Sequence, residues 1–461
     1  MQTAASYETK RQAYISSTNL VILAFASAFF PRVLMMVKFP SLVNFLHFAI
    51  VPLAFAVAIS KARSTDRQQI AVSKKILFAL FLLLSVGFAS AFINDAGIIN
   101  VILHFLLFAE PFMLLLAIIC IPMSPETLTR FRAFVVGFGF VNLTFALIQK
   151  FVLKWDTCFC SPGGWGDGDA IKGVFINQGS GHVVSASISA SLAAYFFFAA
   201  SNRPLWLRAL VLAAAFIHIL VSDAKQVILV AGAAFALLSL FNMKDVRKAI
   251  LYTILFILAV YGFSWAVGQF EFLSAYLTWA RPELYGPDGE ATQFKLSGIS
   301  IVSSHMKSPF NWWFGLGPGH TIDRLGGWML KDYASLLTPL GATSTTIANE
   351  VWRFMGQSWL ANGSSMFAPF FGWAAIWGDL GVIGLGAYLY LAWLIWHDLC
   401  LDDDISKWQM LTVFVNGLIF TQMQEPGYML FIAALVGLRW HEKTAKNRQS
   451  ISRDEAFVEA V

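Results

Sequence analysis

The chain contains a series of long stretches with almost no charge, and these stretches constrain its fold more than any other feature. A helix of about 20 apolar residues crosses a bilayer core, and a helix satisfies its own backbone hydrogen bonds in lipid. Twelve such stretches occur, near 19–37, 42–60, 76–94, 98–121, 133–151, 181–201, 208–222, 226–242, 249–268, 372–396, 408–422 and 426–440. The last two are short enough for a re-entrant pair. The pattern predicts an all-α polytopic membrane protein with about 12 transmembrane helices.

The composition agrees with a chain that lies mainly in lipid. Hydrophobic residues make up 57% of the 461 residues, and charged residues make up 13%. A soluble domain carries about twice that charged fraction, so a water-exposed globular fold is excluded. We expect membrane lipids as surroundings and no nucleic acid as a partner.

The basic residues in the connections predict the orientation. Lys and Arg concentrate in the cytoplasmic connections of membrane proteins. If both termini are cytoplasmic, the inner segments hold 20 of the 32 basic residues. One long extracytoplasmic loop, about 269–371, then lies between spans nine and ten of a single domain, 1–461. Loops of this length usually carry function.

Two polar segments between spans are candidate sites on the outer side. Residues 222–226 place Asp223, Lys225 and Gln226 between two apolar helices. Residues 172–182 form a Gly-rich segment with Lys172 at one end and His182 at the other, before a helix whose N-terminus faces outward. Such a terminus favours an anion. A tight turn that ends two spans and a Gly-rich turn with a capped histidine are the structural alternatives.

The long loop contains a third polar cluster. Its members are Lys295, His305, Lys307, His320, Asp323, Arg324, Asn349, Glu350 and Arg353. None of them has metal-ligand spacing, and no nucleotide or nucleophile-elbow motif occurs, so we expect no metal and no cofactor. His320 follows the turn 315–319 directly, a position that suits an exposed catalytic imidazole. For each residue alone, a solvated surface position is the alternative.

Three ionisable residues inside predicted spans are candidates for function. They are His104 and Glu110 in the fourth span and Asp379 in the tenth. Buried charge is costly in lipid, so each is a functional candidate. A neutral, hydrogen-bonded carboxyl that packs helices together is the alternative, and we favour it for Glu110.

Four short motifs occur in order between residues 172 and 385. Lys172-Gly173-Val174-Phe175 with Asn177 follows a basic-Gly-x-Phe-x-Asn pattern, and Asp223-Ala224-Lys225 lies between two spans. Trp313–Gly319 is an aromatic pair followed by Gly-x-Gly-x-Gly, and Gly378–Leu385 contains acid-x-Gly with two apolar residues and Gly. In order and topology the chain resembles the O-antigen ligase and O-antigen polymerase superfamily of bacterial envelope polysaccharide enzymes.

The chain also departs from that superfamily. The arginine usual after the seventh span is Lys225 here, a point charge without the bidentate fork of arginine. The histidine that the family carries shortly before the glycine pair is absent, since Phe370 and Phe371 occupy that region. His320 or His305 is a possible replacement, or the chain is a polymerase that uses other groups.

The resemblance implies a GT-C-like glycosyltransferase of the bacterial inner membrane. The donor would be a glycan on undecaprenyl diphosphate, a lipid-linked oligosaccharide, and the acceptor a hydroxyl of a glycan or lipid, without a metal. Developing charge on the diphosphate needs cations, and the acceptor hydroxyl needs a general base. The predicted catalytic residues are His320, Lys225 and Glu350. The predicted substrate-binding residues are Lys172, His182, Asp223, Gln226, Arg324, Arg353 and Lys295.

A transporter or lipid-linked glycan flippase without catalysis is the alternative function. His104, Glu110 and Asp379 would then form a coupling or substrate path. Transporters of this size usually have paired halves, whereas the long loop here follows nine spans. The loop tryptophans fit sugar stacking and interfacial anchoring equally well; they are Trp312, Trp313, Trp328, Trp352 and Trp359.

Overall fold

The computed structural model is helical, without strands, in the residues that it describes. These are 17–36, 38–61, 67–157, 168–176, 179–241, 246–269, 277, 281–363, 365–400 and 403–459. Asn177 of the first motif lies outside them. The structure therefore confirms the expected all-α class for the described part of the chain.

The helices fall into three groups along the sequence. Those before the long loop are α1 (Ser17–Phe29), α2 (Pro31–Met36), α3 (Leu46–Lys61), α4 (Arg67–Ile93), α5 (Ile98–Cys120), α6 (Pro125–Phe151), α7 (Gly181–Ala199), α8 (Leu205–Val221), α9 (Lys225–Phe241) and α10 (Val246–Gln269). Those of the loop are α11 (Glu290–His305), α12 (Pro309–Phe314), α13 (Leu330–Asp332), α14 (Ala334–Leu337), α15 (Ile347–Met355) and α16 (Trp359–Gly363). Those after the loop are α17 (Gly372–Leu394), α18 (Asp404–Ile419) and α19 (Pro426–Glu459).

Six helical segments of the described chain are long and apolar enough to cross a membrane. They are Ser41–Ser60, Gln69–Ile93, Ile98–Cys120, Pro125–Phe151, Gly181–Ala199 and Gly372–Leu399. The helices α1, α8 and α9 are also apolar but hold only 13, 17 and 17 residues. The chain is a membrane protein by these segments, while the count of 12 stays a prediction.

Helix α5 forms the centre of the bundle. It is apolar around its whole circumference, the pattern of a helix buried on all sides, and it packs against α3, α4 and α19. Consequently His104 and Glu110, which the helix carries, are 3% and 2% exposed. The two predicted intramembrane residues of α5 therefore lie in the protein interior and not against lipid.

Contacts at the two ends of the helices agree with the predicted alternation of sides. At one end, Asn94 donates to the Gly315 carbonyl, and the Gly97 amide donates to Thr343 of the long loop. At the other end, Lys75 pairs with Asp398, and Arg132 with Glu442. Each contact joins segments that were predicted on the same side. Which side is cytoplasmic stays a prediction.

The long loop folds into a layer of short helices over one end of the bundle. Its apolar helix α11 buries Phe294 and Val302 and packs on α15 and α17. The ammonium of Lys295 donates to the carbonyls of Ala368, at 2.8 Å, and Ile419. Through these contacts the loop layer is fixed to the end of α18.

Candidate functional site

The Gly-rich turn of the long loop packs backbone to backbone against α17. The Leu316 amide donates to the Gly378 carbonyl at 2.8 Å, and the Gly317 amide donates to the Asp379 carbonyl at 3.1 Å. Gly315 has φ +76°, and a Cβ there would lie 2.3 Å from the Asp379 carbonyl. Gly381 has φ +67°, and its Cβ would lie 2.4 Å from Trp313. Two motifs that are distant in sequence thus form one unit.

The side chain of Asp379 holds this turn in place. Its Oδ1 accepts from the Thr321 amide at 3.0 Å and from the Thr321 hydroxyl at 2.5 Å. Its Oδ2 accepts from the Gly319 amide at 2.9 Å and lies 3.3 Å from His104 Nε2. Asp379 is fully buried. Its carboxylate therefore joins α17, the loop turn and α5.

Asp323 completes a buried group with His104 and Asp379. Its Oδ1 accepts from the Gly326 amide at 2.5 Å, and its Oδ2 lies 4.0 Å from His104 Nε2. Burial, with the neighbouring charge of Asp379, raises the pKa of Asp323 to about 7. The possible ligand atoms of the three residues lie within 4.8 Å of one another, although the residues come from segments more than fifty residues apart and so have no metal-ligand spacing in the sequence.

His320 does not present an exposed imidazole, so that expectation is wrong. The residue is 5% exposed, its Nδ1 lies 3.0 Å from the Leu316 carbonyl, and its Nε2 lies 2.8 Å from the Thr343 hydroxyl. The positive φ of the turn glycines folds the imidazole back over the turn. Burial lowers the pKa of His320. The ring braces the loop, and its role as a base stays a prediction.

A small cavity contains two arginines. It has a volume of about 60 Å³, and its polar lining residues are Arg32, Asn44, His47, Arg324, Tyr333 and Glu425. Arg324 pairs with Glu425, and its backbone amide donates to the Gln424 side chain at 2.8 Å. Burial and then the charge of Arg32 lower the pKa of Arg324 to about 9. Arg324 remains cationic at neutral pH, so this arginine cavity concentrates positive charge.

His47, which lines the arginine cavity, forms a buried acid–imidazole pair. Nδ1 of His47, on α3, lies 2.7 Å from Oε2 of Glu110, on α5. Both side chains are buried. The pair joins two helices, as a packing role for Glu110 requires. Glu110 Oε1 has no hydrogen-bond partner in the described part of the structure.

Lys172 and His182 lie together at the start of α7. The amides of Lys172 and Gly173 donate to Gln149 Oε1 at 2.9 and 2.8 Å, which fixes the turn. The Lys172 side chain passes over Gly181, the first residue of α7, and is 7% exposed as a residue. His182 Nε2 lies 3.3 Å from Asp169. The predicted pairing of this lysine with a helix N-terminus is present.

Lys225 and Asp223 lie at the start of α9. The ammonium of Lys225 contacts both Asp223 oxygens at 2.7 and 2.8 Å, while Gln226 is buried. The charges of Lys172 and Lys225 both act on the imidazole of His182. We call these residues the lysine cluster: Lys172, His182, Asp223 and Lys225.

One residue connects the lysine cluster with the arginine cavity. Phe175 lines the cavity and comes three residues after Lys172 in the same turn. Its ring packs against Phe29 of α1, with ring centroids 5.3 Å apart. The structure therefore places Lys172, Lys225, Arg32 and Arg324 around one end of the bundle.

The remaining predicted residues are absent from both the lysine cluster and the cavity lining. Glu350 pairs with His305 at 2.9 Å, and this hydrogen bond lowers the pKa of Glu350. Arg353 is exposed on α15. Lys295 is buried against backbone carbonyls and the Phe371 ring, and burial lowers the pKa of Lys295 to about 7.

The loop tryptophans divide into two environments. Trp328 and Trp352 pack against each other and Phe370, and Trp352 donates to the Gly327 carbonyl at 3.0 Å. These rings are parts of the loop core. Trp312, Trp313 and Trp359 are 47%, 56% and 45% exposed. Trp312 and Trp313 offer exposed ring surface to a sugar or to lipid, whereas Arg281 lies over the ring of Trp359, 5.8 Å from its centroid.

A second, larger cavity lies at the opposite ends of the helices. Its volume is about 1250 Å³, and Arg132, Arg203, Arg439 and Glu442 line it. Glu442 accepts from the Tyr195 hydroxyl at 2.6 Å and from both Arg132 and Arg439. None of the predicted site residues lines this cavity.

Two parts of the site have only a weak signal in the sequence. Arg32 was visible only as an interruption of the first apolar stretch, and Asp323 only as one of many loop charges. An arginine and an acid that lie beside long apolar stretches are the kind of signal that points to such positions.

In the comparison with known proteins, no family model and no curated protein matches this chain.

Proposed function

We propose that the chain is a membrane glycosyltransferase acting on a glycan linked to undecaprenyl diphosphate. It would transfer or polymerise that glycan onto an acceptor hydroxyl on the extracytoplasmic face of a bacterial inner membrane. The proposal includes a GT-C-like bundle of about 12 spans with both termini cytoplasmic. The observation that carries it is that Arg32 and Arg324 line the same cavity.

The cavity suits a diphosphate leaving group for a physical reason. Negative charge develops on the diphosphate as the glycosidic bond breaks, and preorganised cations in a dry site stabilise that charge strongly. A guanidinium has five N–H donors in a planar fork that matches phosphate oxygens. Glu425 engages one nitrogen of Arg324, so further donors remain for a ligand.

Glu425 is the best-placed general base in this proposal. It lines the arginine cavity with Arg324, and it is 6% exposed. A carboxylate there would accept the proton of an acceptor hydroxyl that approaches a donor held by the arginines. Glu350 is less well placed, because it lies outside the lining of the arginine cavity and is bonded to His305 at 2.9 Å. The nitrogens of His320 are already engaged within the loop.

The lysine cluster would guide the anionic donor to the cavity. Lys172 and Lys225 lie at the N-termini of α7 and α9, where helix dipoles add to their positive charge. An ammonium group is in general more strongly hydrated than a guanidinium group and lacks its planar fork. We therefore assign the two lysines to capture of the donor, and the arginines to stabilisation of the leaving group.

The experiment is a turnover assay on the purified full chain. The chain is given a lipid-diphosphate-linked glycan and an acceptor, and the released carrier diphosphate is measured. The proposal predicts release that depends on the acceptor and on Arg324. A wild-type chain that releases no carrier diphosphate with matched donor and acceptor would exclude the transferase.

A transporter or flippase remains the second candidate because of one specific observation. Two buried ionisable groups connect the helices, His47 with Glu110 and His104 with Asp323 and Asp379. Groups of this kind form coupling paths in transporters. Movement of a labelled lipid-linked glycan across vesicles, without carrier release, would support this function over the transferase.

A further inference from the structure

Three buried side chains point one ligand atom each toward a common position beneath the loop turn. His104 Nε2 lies 3.3 Å from Asp379 Oδ2 and 4.0 Å from Asp323 Oδ2. The possible ligand atoms of the three residues all lie within 4.8 Å of one another. His104 is 3% exposed, and both aspartates are 0% exposed.

The two carboxylates are oriented by their other contacts. Asp379 Oδ1 accepts from Thr321, and Asp323 Oδ1 accepts from the Gly326 amide at 2.5 Å. In each case the second oxygen, Oδ2, faces the imidazole. Asp379 Oδ2 also accepts from the Gly319 amide at 2.9 Å, and Asp323 Oδ2 accepts from the Gln424 side chain at 3.5 Å, but each carboxylate oxygen has a second lone pair for an ion.

The imidazole nitrogen that completes the group lacks a hydrogen bond. His104 Nε2 is buried and has no hydrogen-bond partner in the described part of the structure, since its contact with Asp379 has unsuitable geometry. A buried polar atom without a partner costs free energy. Two buried carboxyl groups beside one imidazole also favour a bound cation, because an unbalanced negative charge in a dry interior is costly. Positive charge between the three atoms removes both costs.

We propose that His104, Asp323 and Asp379 bind a divalent transition metal ion of the Zn²⁺, Mn²⁺ or Fe²⁺ class. A nitrogen and two carboxylate oxygens are ligands that these ions accept, whereas Mg²⁺ and Ca²⁺ prefer oxygen alone. Zinc lies about 2.0–2.2 Å from such ligands, which places neighbouring ligand atoms about 3.3 Å apart in a tetrahedron. The distance from His104 to Asp379 has this value, and Asp323 needs only a small movement.

The ion would serve to hold the loop on the bundle. It would join α5, the segment that follows the Gly-rich turn, and α17. Asp323 directly precedes Arg324, so the site also fixes the chain that carries this arginine. None of the three ligands lines the arginine cavity, and the proposal is therefore independent of the transferase assignment.

The test is metal binding by the purified full chain in detergent. Bound metal is first removed from the chain with a chelator. Co²⁺ is then titrated as a spectroscopic probe, and the metal bound per chain is measured by inductively coupled plasma mass spectrometry. Wild type should take up one Co²⁺ per chain with a visible absorption band that Zn²⁺ displaces. His104→Gln should bind at least tenfold more weakly. His218→Gln is the control, since His218 is equally buried but bonded to Ser189 at 2.9 Å.

A second measurement covers the case in which His104→Gln does not fold. Zn²⁺ or Mn²⁺ alone should raise the thermal midpoint of chelated wild type, because an ion that binds only the folded chain stabilises it. Uptake of less than 0.1 ion per chain, with no thermal shift, would overturn the proposal in favour of a shared proton. Uptake that is unchanged in His104→Gln would overturn it too.

Discussion

The arginine cavity and the lysine cluster carry the same charge at the same end of the bundle, but the acids that pair with their cations differ in exposure. Arg324 lines the arginine cavity together with Arg32 and forms an ion pair with Glu425, whose side chain is 7% exposed. Lys225 pairs with Asp223 within one turn, and that aspartate side chain is 49% exposed. Electrostatic interactions gain strength as water is excluded and weaken in salt when exposed. The difference teaches that the burial of the ion pair, and not the cation's charge alone, separates a role in stabilising a leaving group from a role in capturing a ligand.

Removal of the Arg324 charge should have the largest effect. Arg324→Ala is expected to lower the rate of carrier diphosphate release by about 100-fold or more, as loss of one preorganised donor does. Arg324→Lys should recover only part of the rate, because it lacks the planar fork. The control is Arg353→Ala, which removes an exposed arginine of the same loop. Equal rates in the Arg324 and Arg353 variants would contradict a special role of the arginine cavity in turnover.

The packing between the turn 315–319 and α17 should be sensitive to the glycines at their contact. Gly381→Ala is expected to destabilise the chain by about 2 kcal/mol or more, because φ is positive there and the new Cβ meets Trp313 at 2.4 Å. The readout is the thermal midpoint in detergent. Gly386→Ala, in the same helix with open space around it, should be neutral or stabilising. A tolerated Gly381→Ala would mean that the loop and α17 are not held as described.

Removal of the Lys225 charge should have a smaller and salt-dependent effect. Lys225→Ala is expected to raise the KM for the donor by about tenfold at low salt, with little change in kcat, because capture rather than chemistry is lost. At about 0.5 M salt the wild type should approach the variant. A loss of kcat larger than that of Arg324→Ala would reverse the assigned roles of the two regions.

A pair outside both regions should have the smallest effect. The pKa of Glu350 is lowered by His305, so its stabilisation is present above the unfolded pKa and is lost as pH falls through the folded pKa. Since the pair is exposed, the contribution should be well under about 1 kcal/mol. Thermal midpoints between pH 6 and pH 3 should differ slightly between wild type and Glu350→Gln. A large difference would place Glu350 in a buried network.

The sequence predicts the parts of this molecule that depend on local composition. Apolar stretches give the helices, and residues 172–182 and 222–226 are polar enough to mark the lysine cluster. The pairing of Gly315 with Gly381 has no local signal, because it depends on how two segments meet. The same holds for Arg32 with Arg324, separated by nearly three hundred residues, and for His104 with Asp323.

His320 shows why exposure is difficult to predict from a turn. A histidine after a Gly-rich turn is usually placed at the surface. Here the glycines allow the backbone to approach α17 so closely that the imidazole folds inward, where Leu316 and Thr343 engage its nitrogens. The direction of a side chain after such a turn depends on positive φ values that composition does not reveal.

The most direct test of the account is a structure of the full chain with undecaprenyl diphosphate bound. The account predicts that the phosphates lie within hydrogen-bond distance of Arg32 and Arg324, beside Phe175. Phosphates bound in the large cavity at the opposite end, on Arg132 and Arg439, would contradict it.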